Sequence, residues 1–476
     1  MRNTLVRLTG LLIVLTLVMT GCNLIAIDPM MQLDEDFAAL KKQYSGVVAS
    51  YDGGQITQED VMASFTGQYS YMSQLYSMYG MSMNASTVSD IEQSVVEDAV
   101  QNVAVAKQIE SRGLKLSDEK LAEVQSEADE HYQEAYDSVY PNIKGDTEAE
   151  RARRTEYQLA VNGYTKEALY NIELAAANSE LVEEAVRDEI TEVEDIQAAY
   201  DAKVAEDEEE YASALGSFES AMTSDEEVVA WMPEGYRTVK HILIKPESDV
   251  LTAVTDARLA YRNAQDNLDK LKNELDTLNN ADTAAEGTEE AEEAEAEATE
   301  APTRTAEQIQ ADIDAAEKEI EPLKAAMEKA EADCLASVQD KLDEIYAKID
   351  AGEDFASLIE AYGEDPGMQN EPTKTRGYYV SANSSNWDSM FTDGAMSLAE
   401  VGDVTRTPVI GSSGIHIIRY ESDVTPGAVP LDEIRDKLYD ETLEKLKTDH
   451  YNSELESWIS ALNPKYDLSA FNLTQE

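Results

Sequence analysis

Basic residues, cysteines and histidines are all scarce in this chain of 476 residues. Only 37 lysines and arginines face 97 aspartates and glutamates, so the formal net charge is −60. Such a surplus of negative charge is repelled by DNA, RNA and anionic lipid surfaces, which excludes nucleic acid as a partner. The length suggests two or three domains, and a hydrophobic content of 42% is sufficient for their cores.

One of the two cysteines, Cys22, ends an N-terminal segment that is typical of an export signal. Arg2 and Arg7 form a basic head, Leu11 to Val18 form a short apolar stretch, and small residues precede the cysteine. The segment resembles a bacterial lipoprotein signal, in which the cysteine becomes the lipidated first residue of the mature protein. We therefore expect residues 1–22 to be a signal peptide, with lipidation at Cys22 anchoring the protein on the extracytoplasmic face of the cell membrane. An ordinary secretory peptide and a single membrane anchor are the alternatives.

Helical periodicity dominates the first half of the chain, after a polar stretch that is expected to be a tether, residues 23–44. A strand is predicted from Val47 to Tyr51, followed by a tight turn and a helix start near Thr57. The helical pattern then continues to about Met222, which predicts a helical domain over residues 45–232.

The span "FTGQYSYMSQLYSMYGMSM" in this region is unusually rich in tyrosine and methionine. Aromatic and thioether side chains adapt to varied apolar shapes, so the span has the composition of a client-binding surface. A helix stripe that faces the core explains the same residues and is the interpretation we favour.

Two matched heptad runs predict an antiparallel coiled-coil hairpin over residues 251–334. The connector between them, about residues 279–305, is acidic and low in complexity, and we expect it to be disordered. Pro322 is expected to kink the second arm, because proline removes a helical hydrogen bond. Cys334 occupies an apolar heptad position, which indicates a buried and inert thiol. Once Cys22 is lipidated, Cys334 has no cysteine left for an internal disulfide.

Two of the four histidines lie in short apolar runs that predict buried strands, His241 in "KHILI" and His416 in "SSGIHIIRY". The stretches "VKHILI", "GEDFASLIEAYGEDPG", "RGYY", "MFTDGAMSLAEVGDV" and "TPVIGSSGIHIIRYES" resemble successive blocks of a parvulin-type peptidyl-prolyl isomerase. Two earlier stretches, "VVASYDGGQITQEDV" and "SRGLKLSDEKL", resemble extracytoplasmic foldases of the PrsA and SurA type. The coiled-coil hairpin falls outside this resemblance.

The resemblance implies an α+β fold with two parts. A helical SurA/PrsA-like chaperone domain carries a parvulin domain of the β-α-α-α-β-β type, residues 236–421, which the coiled-coil hairpin interrupts. A C-terminal helix within residues 430–476 is expected to pack back on the chaperone domain through an apolar stripe that includes Leu446 and Trp458.

The resemblance also implies the residues of a site. His241 and His416 would face each other across the sheet and fix each other's tautomer, with Asp365 near the substrate carbonyl. Ser413 would supply a hydroxyl linked to the histidine pair. The proline pocket would be formed by Trp387, Phe391 and Met396. Neither a cofactor nor a metal is expected.

The implied reaction is cis-trans isomerisation of Xaa-Pro bonds, whose barrier of about 18–20 kcal/mol comes from amide resonance. A catalyst lowers it by favouring a twisted amide, without breaking a bond. The expected partners are unfolded or partly folded secreted polypeptides and the membrane through the lipid anchor, and a homodimer through the helical domain is left open. A catalytically inactive, parvulin-like holdase chaperone is the alternative, because Arg376 and Trp387 depart from the family pattern and the histidines could be plain core residues. A surface adaptor that works through the coiled coil is a more distant alternative.

Overall fold

The computed structural model describes residues 29–224, 226–285 and 304–471. The expected signal peptide, including Cys22, lies outside the described residues, and so does most of the expected acidic connector. No helix in the described ranges is both long and apolar enough to span a membrane. The chain divides into two compact units.

The first unit, Met1–Val193 with Thr442–Glu476, is mainly helical. Side-chain caps fix where several helices begin, since Asn84, Ser117 and Thr165 each accept a hydrogen bond from a backbone N–H of the first turn. The helices are α1 (Pro29–Gln43), α2 (Gln58–Met78), α3 (Ala85–Arg112), α4 (Asp118–Val139), α5 (Glu148–Val161) and α6 (Lys166–Arg187). A small antiparallel sheet consists of β1 (Val47–Tyr51), β2 (Gly54–Thr57) and β9 (Lys465–Tyr466), with β1 in the middle.

The expected tether is wrong from Pro29 onward, because these residues form helix α1. Leu33, Phe37 and Leu40 recur at spacings of four and three, so they share one face of the helix. Leu33 and Leu40 are buried, and Leu40 and Phe37 belong to the core of the first unit. The polar average composition of the stretch hides this apolar stripe.

The C-terminal helix α15 (Leu431–Ala461) begins in the second unit and ends in the first. Within the first unit, Tyr451 packs against Val182 and Val186 of α6, and Trp458 contributes to two apolar clusters. The expected packing of this helix on the helical core is therefore present in its second half. Leu446, which the sequence placed on the packing stripe, is exposed instead.

The span rich in tyrosine and methionine divides into two sets of residues. Phe65, at its start, is buried in the core, and Tyr69, Met72 and Met83 pack against the same core. By contrast, Tyr71, Met78 and Tyr79 are exposed. The core-facing interpretation therefore fits some residues of the span, and the exposed ones fit a binding surface.

The second unit, Glu194–Glu441, begins earlier than the expected boundary at residue 232. Two helices precede that residue, α7 (Ile196–Ser213) and α8 (Leu215–Thr223). Phe218 of α8 is fully buried and its ring lies 4.7 Å from that of Tyr236, at the start of the predicted parvulin domain. Residues 188–195, between α6 and α7, contain no glycine or proline, so the sequence gives no sign of the boundary and assigns these helices to the wrong unit. Short strands β3 (Trp231–Met232) and β8 (Gly427–Ala428) pair with each other in the same unit.

The predicted coiled-coil hairpin is formed by α9 (Ser248–Ala285) and α10 (Ala306–Ser337). Ion pairs join Arg258 to Glu331 and Lys272 to Glu317, so positions that rise along one helix fall along the other. This order shows that the arms are antiparallel. The apolar seam between the arms is made by Leu268, Leu271, Leu275, Leu278, Ile309, Ile313, Ala316 and Ile320.

The base of the hairpin is attached to the rest of the second unit. Arg258 donates hydrogen bonds to the carboxylate of Glu331 and to the carbonyl oxygen of Ile410, each at 2.7 Å. Cys334 is buried in the adjoining core, as predicted, and burial raises the pKa of its thiol. Helix α10 continues as one helix through Pro322.

The centre of the second unit is a four-stranded antiparallel sheet that carries four short helices. Its strands are β4 (Arg237–Ile244), β5 (Tyr378–Val380), β6 (Val409–Ile410) and β7 (Ile415–Asp423), in the spatial order β5-β4-β7-β6. The helices are α11 (Gln339–Asp350), α12 (Phe355–Tyr362), α13 (Thr373–Arg376) and α14 (Ser389–Met396). The expected β-α-α-α-β-β order lacks β5, because a strand of three residues is too short to show an alternating pattern.

Candidate active site

Two buried histidines face each other on one side of the four-stranded sheet. His241 of β4 lies opposite Ile418 of β7, and His416 of β7 lies opposite Leu243 of β4. The two histidines are therefore diagonal neighbours, and their side chains share a face of the sheet. Their Nδ1 atoms are 2.9 Å apart, and only 3% of His241 and 6% of His416 are exposed.

Asp365, which follows α12, accepts three hydrogen bonds. The donors are Nε2 of His241 at 2.7 Å, the hydroxyl of Tyr378 at 2.9 Å and the backbone N–H of Gly367 at 3.1 Å. Burial by itself would raise the pKa of Asp365, but the hydrogen bond and charge of His241, together with the other two donors, lower it to about 2. The carboxylate is therefore ionised at neutral pH and accepts the proton on Nε2 of His241.

His416 is neutral at physiological pH. Burial and the neighbouring His241 lower the pKa of its imidazole to about 3, and the charges of Asp388 and Asp365 oppose this shift only in part. Nδ1 of His241 and Nδ1 of His416 share a single hydrogen-bonding proton across 2.9 Å, so only one of the two rings carries it. The two rings then fix each other's tautomer.

An aromatic wall lies beside the histidine pair. The ring of Phe391, on α14, contacts both imidazoles edge to face at centroid distances of 5.1 Å. The ring of Trp387 lies 6.2 Å from that of Phe391 and 4.5 Å from that of Tyr378. The indole Nε1 of Trp387 donates to the carbonyl oxygen of Tyr379 at 2.7 Å, which fixes the plane of the indole.

Two residues of the predicted set lie apart from this arrangement. Ser413 is exposed in the turn before β7, while the hydrogen bonds of the histidine pair go to each other and to Asp365. The turn requires Gly414, because its φ is 143° and an added Cβ would lie 2.6 Å from the carbonyl oxygen of Ile244. Met396 ends α14 five residues after Phe391, which is about 140° around the helix, so the two side chains leave the helix on different sides.

Two further residues belong to the site and have no counterpart in the predicted set. Tyr378 donates to Asp365, and only the pairing of β5 with β4 brings it there. Asp388 accepts from the backbone N–H groups of Met390 and Phe391 and, with its other oxygen, from the backbone N–H of Ser412 at 3.0 Å. It thus joins the start of α14 to the turn before His416. An aspartate directly before a short apolar helix is a recognisable N-cap signal, so its capping role was open to prediction.

The site combines an ionised carboxylate, a hydrogen-bonded imidazole pair and an aromatic wall. Its polar groups are held by one another and by the backbone, so they do not have to reorganise when charge shifts in a bound group. The charged carboxylate can therefore act on a polar group of a ligand while the aromatic wall contacts an apolar part of the same ligand.

Residues 322–422 match the family model of the PPIC-type PPIase domain, Rotamase. The chain carries a parvulin-type domain. The match begins within α10 and omits β4, because the hairpin separates that strand from the rest of the domain in sequence. Pairing of β4 with β5 and β7 returns His241 to the parvulin-type sheet.

Individual relatives are similar to parts of the chain at low identity. Foldase proteins PrsA of two Clostridium botulinum strains are 25% identical over 127 residues, 27% of this chain and 37% of theirs. The match therefore spans only about a third of the length of these relatives. The solved structure of PrsA from Streptococcus pneumoniae aligns at 14% identity over 89% of this chain and 96% of its own, with a TM-score of 0.23. A structure from Campylobacter jejuni, from the SurA-like chaperones PEB4 and Cj1289, aligns at 13% identity over 88% and 100%, with a TM-score of 0.19. TM-scores of this size carry no argument about the architecture.

Proposed function

We propose that this protein is an exported, membrane-anchored foldase that isomerises Xaa-Pro peptide bonds and assists the folding of secreted proteins. The observation that carries the catalytic part is the buried, hydrogen-bonded series of Asp365, His241 and His416 beside the ring of Phe391. The PPIC-type match over residues 322–422 and the foldase name of the PrsA relatives support the same assignment.

In the proposed mechanism, Phe391 and Trp387 hold the proline ring and the polar series faces the preceding amide. Resonance in a planar amide places negative charge on the carbonyl oxygen and double-bond character in the C–N bond. The ionised carboxylate of Asp365 disfavours that negative charge, and so weakens the double-bond character and favours the twisted amide. The histidine pair acts as a positioning group, because it holds Asp365 ionised and oriented.

A matched pair of core variants tests the catalytic part. Phe391 and Phe355 are both buried in the same core, but only Phe391 contacts the histidines. Phe391→Leu should lower kcat/KM of the mature chain about tenfold, since roughly 1.4 kcal/mol of contact with the proline ring is lost. Phe355→Leu should cost similar stability and leave kcat/KM within about twofold. NMR exchange on an Xaa-Pro peptide measures kcat/KM of both variants. Equal losses of kcat/KM would contradict a role for Phe391 in the proline pocket.

Export and anchoring are proposed from the N-terminal signal that ends at Cys22. The proposed clients are unfolded or partly folded secreted polypeptides, and the foldase name of the PrsA relatives fits this class. Mass spectrometry of the mature protein should find a lipid-modified N-terminus at Cys22. An unmodified N-terminus downstream of Cys22 would contradict the anchor.

A holdase without catalysis is the second candidate, and it is favoured by the exposed end of the span rich in tyrosine and methionine. Tyr71, Met78, Tyr79 and Met81 are all more than half exposed. Large apolar side chains that cluster on a surface mark a site for other polypeptides. Replacing Met78 and Tyr79 with serine should weaken suppression of client aggregation and leave isomerisation unchanged. The holdase candidate is supported if the wild type isomerises no Xaa-Pro peptide but suppresses client aggregation, and this variant loses that suppression.

A further inference from the structure

The segment before Trp387 is held by a helix that precedes the parvulin-type sheet in the chain. Glu219 of α8 has an exposed fraction of 1%, and its two carboxylate oxygens have different partners. Oε1 accepts from the hydroxyl of Tyr236 at 2.9 Å. Oε2 accepts from the backbone N–H groups of Ser385 at 3.2 Å and Asn386 at 2.9 Å. These are the two residues directly before Trp387.

A second set of contacts joins the same two elements. The side-chain amide of Asn386 donates to the carbonyl oxygen of Gly216 at 2.7 Å and to the hydroxyl of Ser220 at 2.9 Å. Gly216 leaves space for the loop, since an added Cβ would lie 2.8 Å from Oγ of Ser385 and 2.9 Å from Oδ1 of Asn386. The loop therefore lies directly on α8.

A third contact supports the residue that accepts the indole N–H of Trp387. The ring of Phe218, also on α8, meets the ring of Tyr379 edge to face at 5.6 Å. The carbonyl oxygen of Tyr379 accepts the indole N–H of Trp387. Both the backbone before Trp387 and the acceptor of its indole are therefore supported by the same helix of nine residues.

We propose that Glu219 is a positioning residue for the proline pocket. Helix α8 belongs to that pocket and determines the position of Trp387. The inference rests on the proposed function for its substrate class, Xaa-Pro peptides. A buried carboxylate that holds two consecutive backbone N–H groups fixes the loop at the point where the indole begins. Weakening this tie lowers the fraction of molecules in which the pocket is formed, and the apparent affinity for the peptide falls by that fraction.

The test uses the mature chain labelled with 5-fluorotryptophan. Its three tryptophans, Trp231, Trp387 and Trp458, give three ¹⁹F resonances, which single Trp→Phe variants assign. Glu219→Gln keeps the shape of the side chain but removes an acceptor oxygen. Gly216→Ala places a methyl group against Oγ of Ser385 and Oδ1 of Asn386, so these side chains must shift. Both variants should shift or broaden the Trp387 resonance and raise KM, or Kd for an Xaa-Pro peptide, about 3- to 10-fold with kcat nearly unchanged.

Asp207→Asn is the matched control. Asp207 is also a fully buried carboxylate of the second unit, but its Oδ2 accepts from the backbone N–H of Ala230, next to Trp231. This variant should shift the Trp231 resonance and leave the Trp387 resonance and the peptide affinity as in the wild type. The proposal fails if the Trp387 resonance is unchanged in Glu219→Gln and Gly216→Ala, or if Asp207→Asn moves it equally.

The outcome for the proposed function is separate. If the wild type accelerates no Xaa-Pro isomerisation, the catalytic proposal fails, while the ¹⁹F resonances and the peptide affinity still decide the role of Glu219. If the wild type binds no peptide either, the Trp387 resonance alone decides whether Glu219 positions the indole.

Discussion

The coiled-coil hairpin and the histidine site lie in the same unit but are stabilised in different ways. The hairpin repeats one kind of contact along two long helices, with ion pairs such as Lys272 to Glu317 on its exposed surface. At the site, two strands and the segment after α12 meet in a few buried hydrogen bonds, each made once. When one contact of the hairpin is lost, many contacts of the same kind remain. When one hydrogen bond of the site is lost, its buried partner is left unpaired. An exposed ion pair contributes about 0–1 kcal/mol, and an orphaned buried polar group costs about 1–3 kcal/mol.

The largest expected difference between the two regions is in how acid changes their contribution to the free energy of unfolding. The unfolded chain binds a proton on His416 near pH 6.5, whereas the folded chain binds it only near pH 3. Between these values the unfolded state holds more protons, so the free energy of unfolding should fall toward acid by up to about 1.4 kcal/mol per pH unit. Asp365 adds a loss only below about pH 4, because its folded pKa is depressed to about 2.

Chemical denaturation from pH 4 to pH 7 measures this slope. In His416→Asn the free energy of unfolding should fall less steeply toward acid, by up to about 1.4 kcal/mol per pH unit, because unfolding takes up about one proton fewer. The hairpin variant Lys272→Gln serves as the control and should keep the slope of the wild type. Equal slopes in His416→Asn and the wild type would mean that His416 is charged in the folded protein.

The next effect is the loss of a partner at neutral pH. His241→Ala should cost about 1–3 kcal/mol, because it leaves Asp365 and His416 without their shared donor and acceptor. The double variant with His416→Ala should cost less than the sum of the two single variants, since the second change removes a group that is already orphaned. Strict additivity would indicate that the two rings do not interact.

These two regions also differ in how far the sequence predicts them. The hairpin follows from periodicity alone, because its contacts repeat every three or four residues. The histidines are found through a local motif, but their partners come from elsewhere in the chain. Tyr378 reaches Asp365 through β5, a strand of three residues, and Glu219 reaches the loop before Trp387 from a helix that the sequence assigns to another domain.

The differences between the predicted and the observed structure also arise where local sequence pattern does not determine side-chain direction or burial. The resemblance implies Ser413 and Met396 at the site, but the direction of their side chains depends on a turn and on helix rotation. Helix α1 is not predicted because average polarity outweighs three spaced apolar residues. Local pattern therefore predicts elements and motifs, while nonlocal contacts decide the site.

A smaller effect is expected from the exposed surface of the hairpin. Lys272→Gln removes an ion pair whose side chains are both about half exposed. The free energy of unfolding should change by less than about 1 kcal/mol, and the change should vanish in high salt. A loss of the size expected for His241→Ala would contradict the contrast between the two regions.

The smallest effect concerns the single described thiol, Cys334. Burial in an apolar core and a raised pKa both disfavour the thiolate. Native protein should therefore react with a thiol reagent no faster than it unfolds. Fast labelling of the native chain would show that the base of the hairpin opens without the rest of the unit.

The most direct test of the proposed catalytic site is the isomerisation rate of the mature chain and of Asp365→Asn on the same Xaa-Pro peptides. Asparagine keeps the shape of the side chain but removes the negative charge next to the amide. The wild type should accelerate isomerisation, and the variant should lose about 100-fold in kcat while remaining folded. A wild type without activity, or an Asp365→Asn variant as active as the wild type, would contradict a catalytic role for the Asp365, His241 and His416 series.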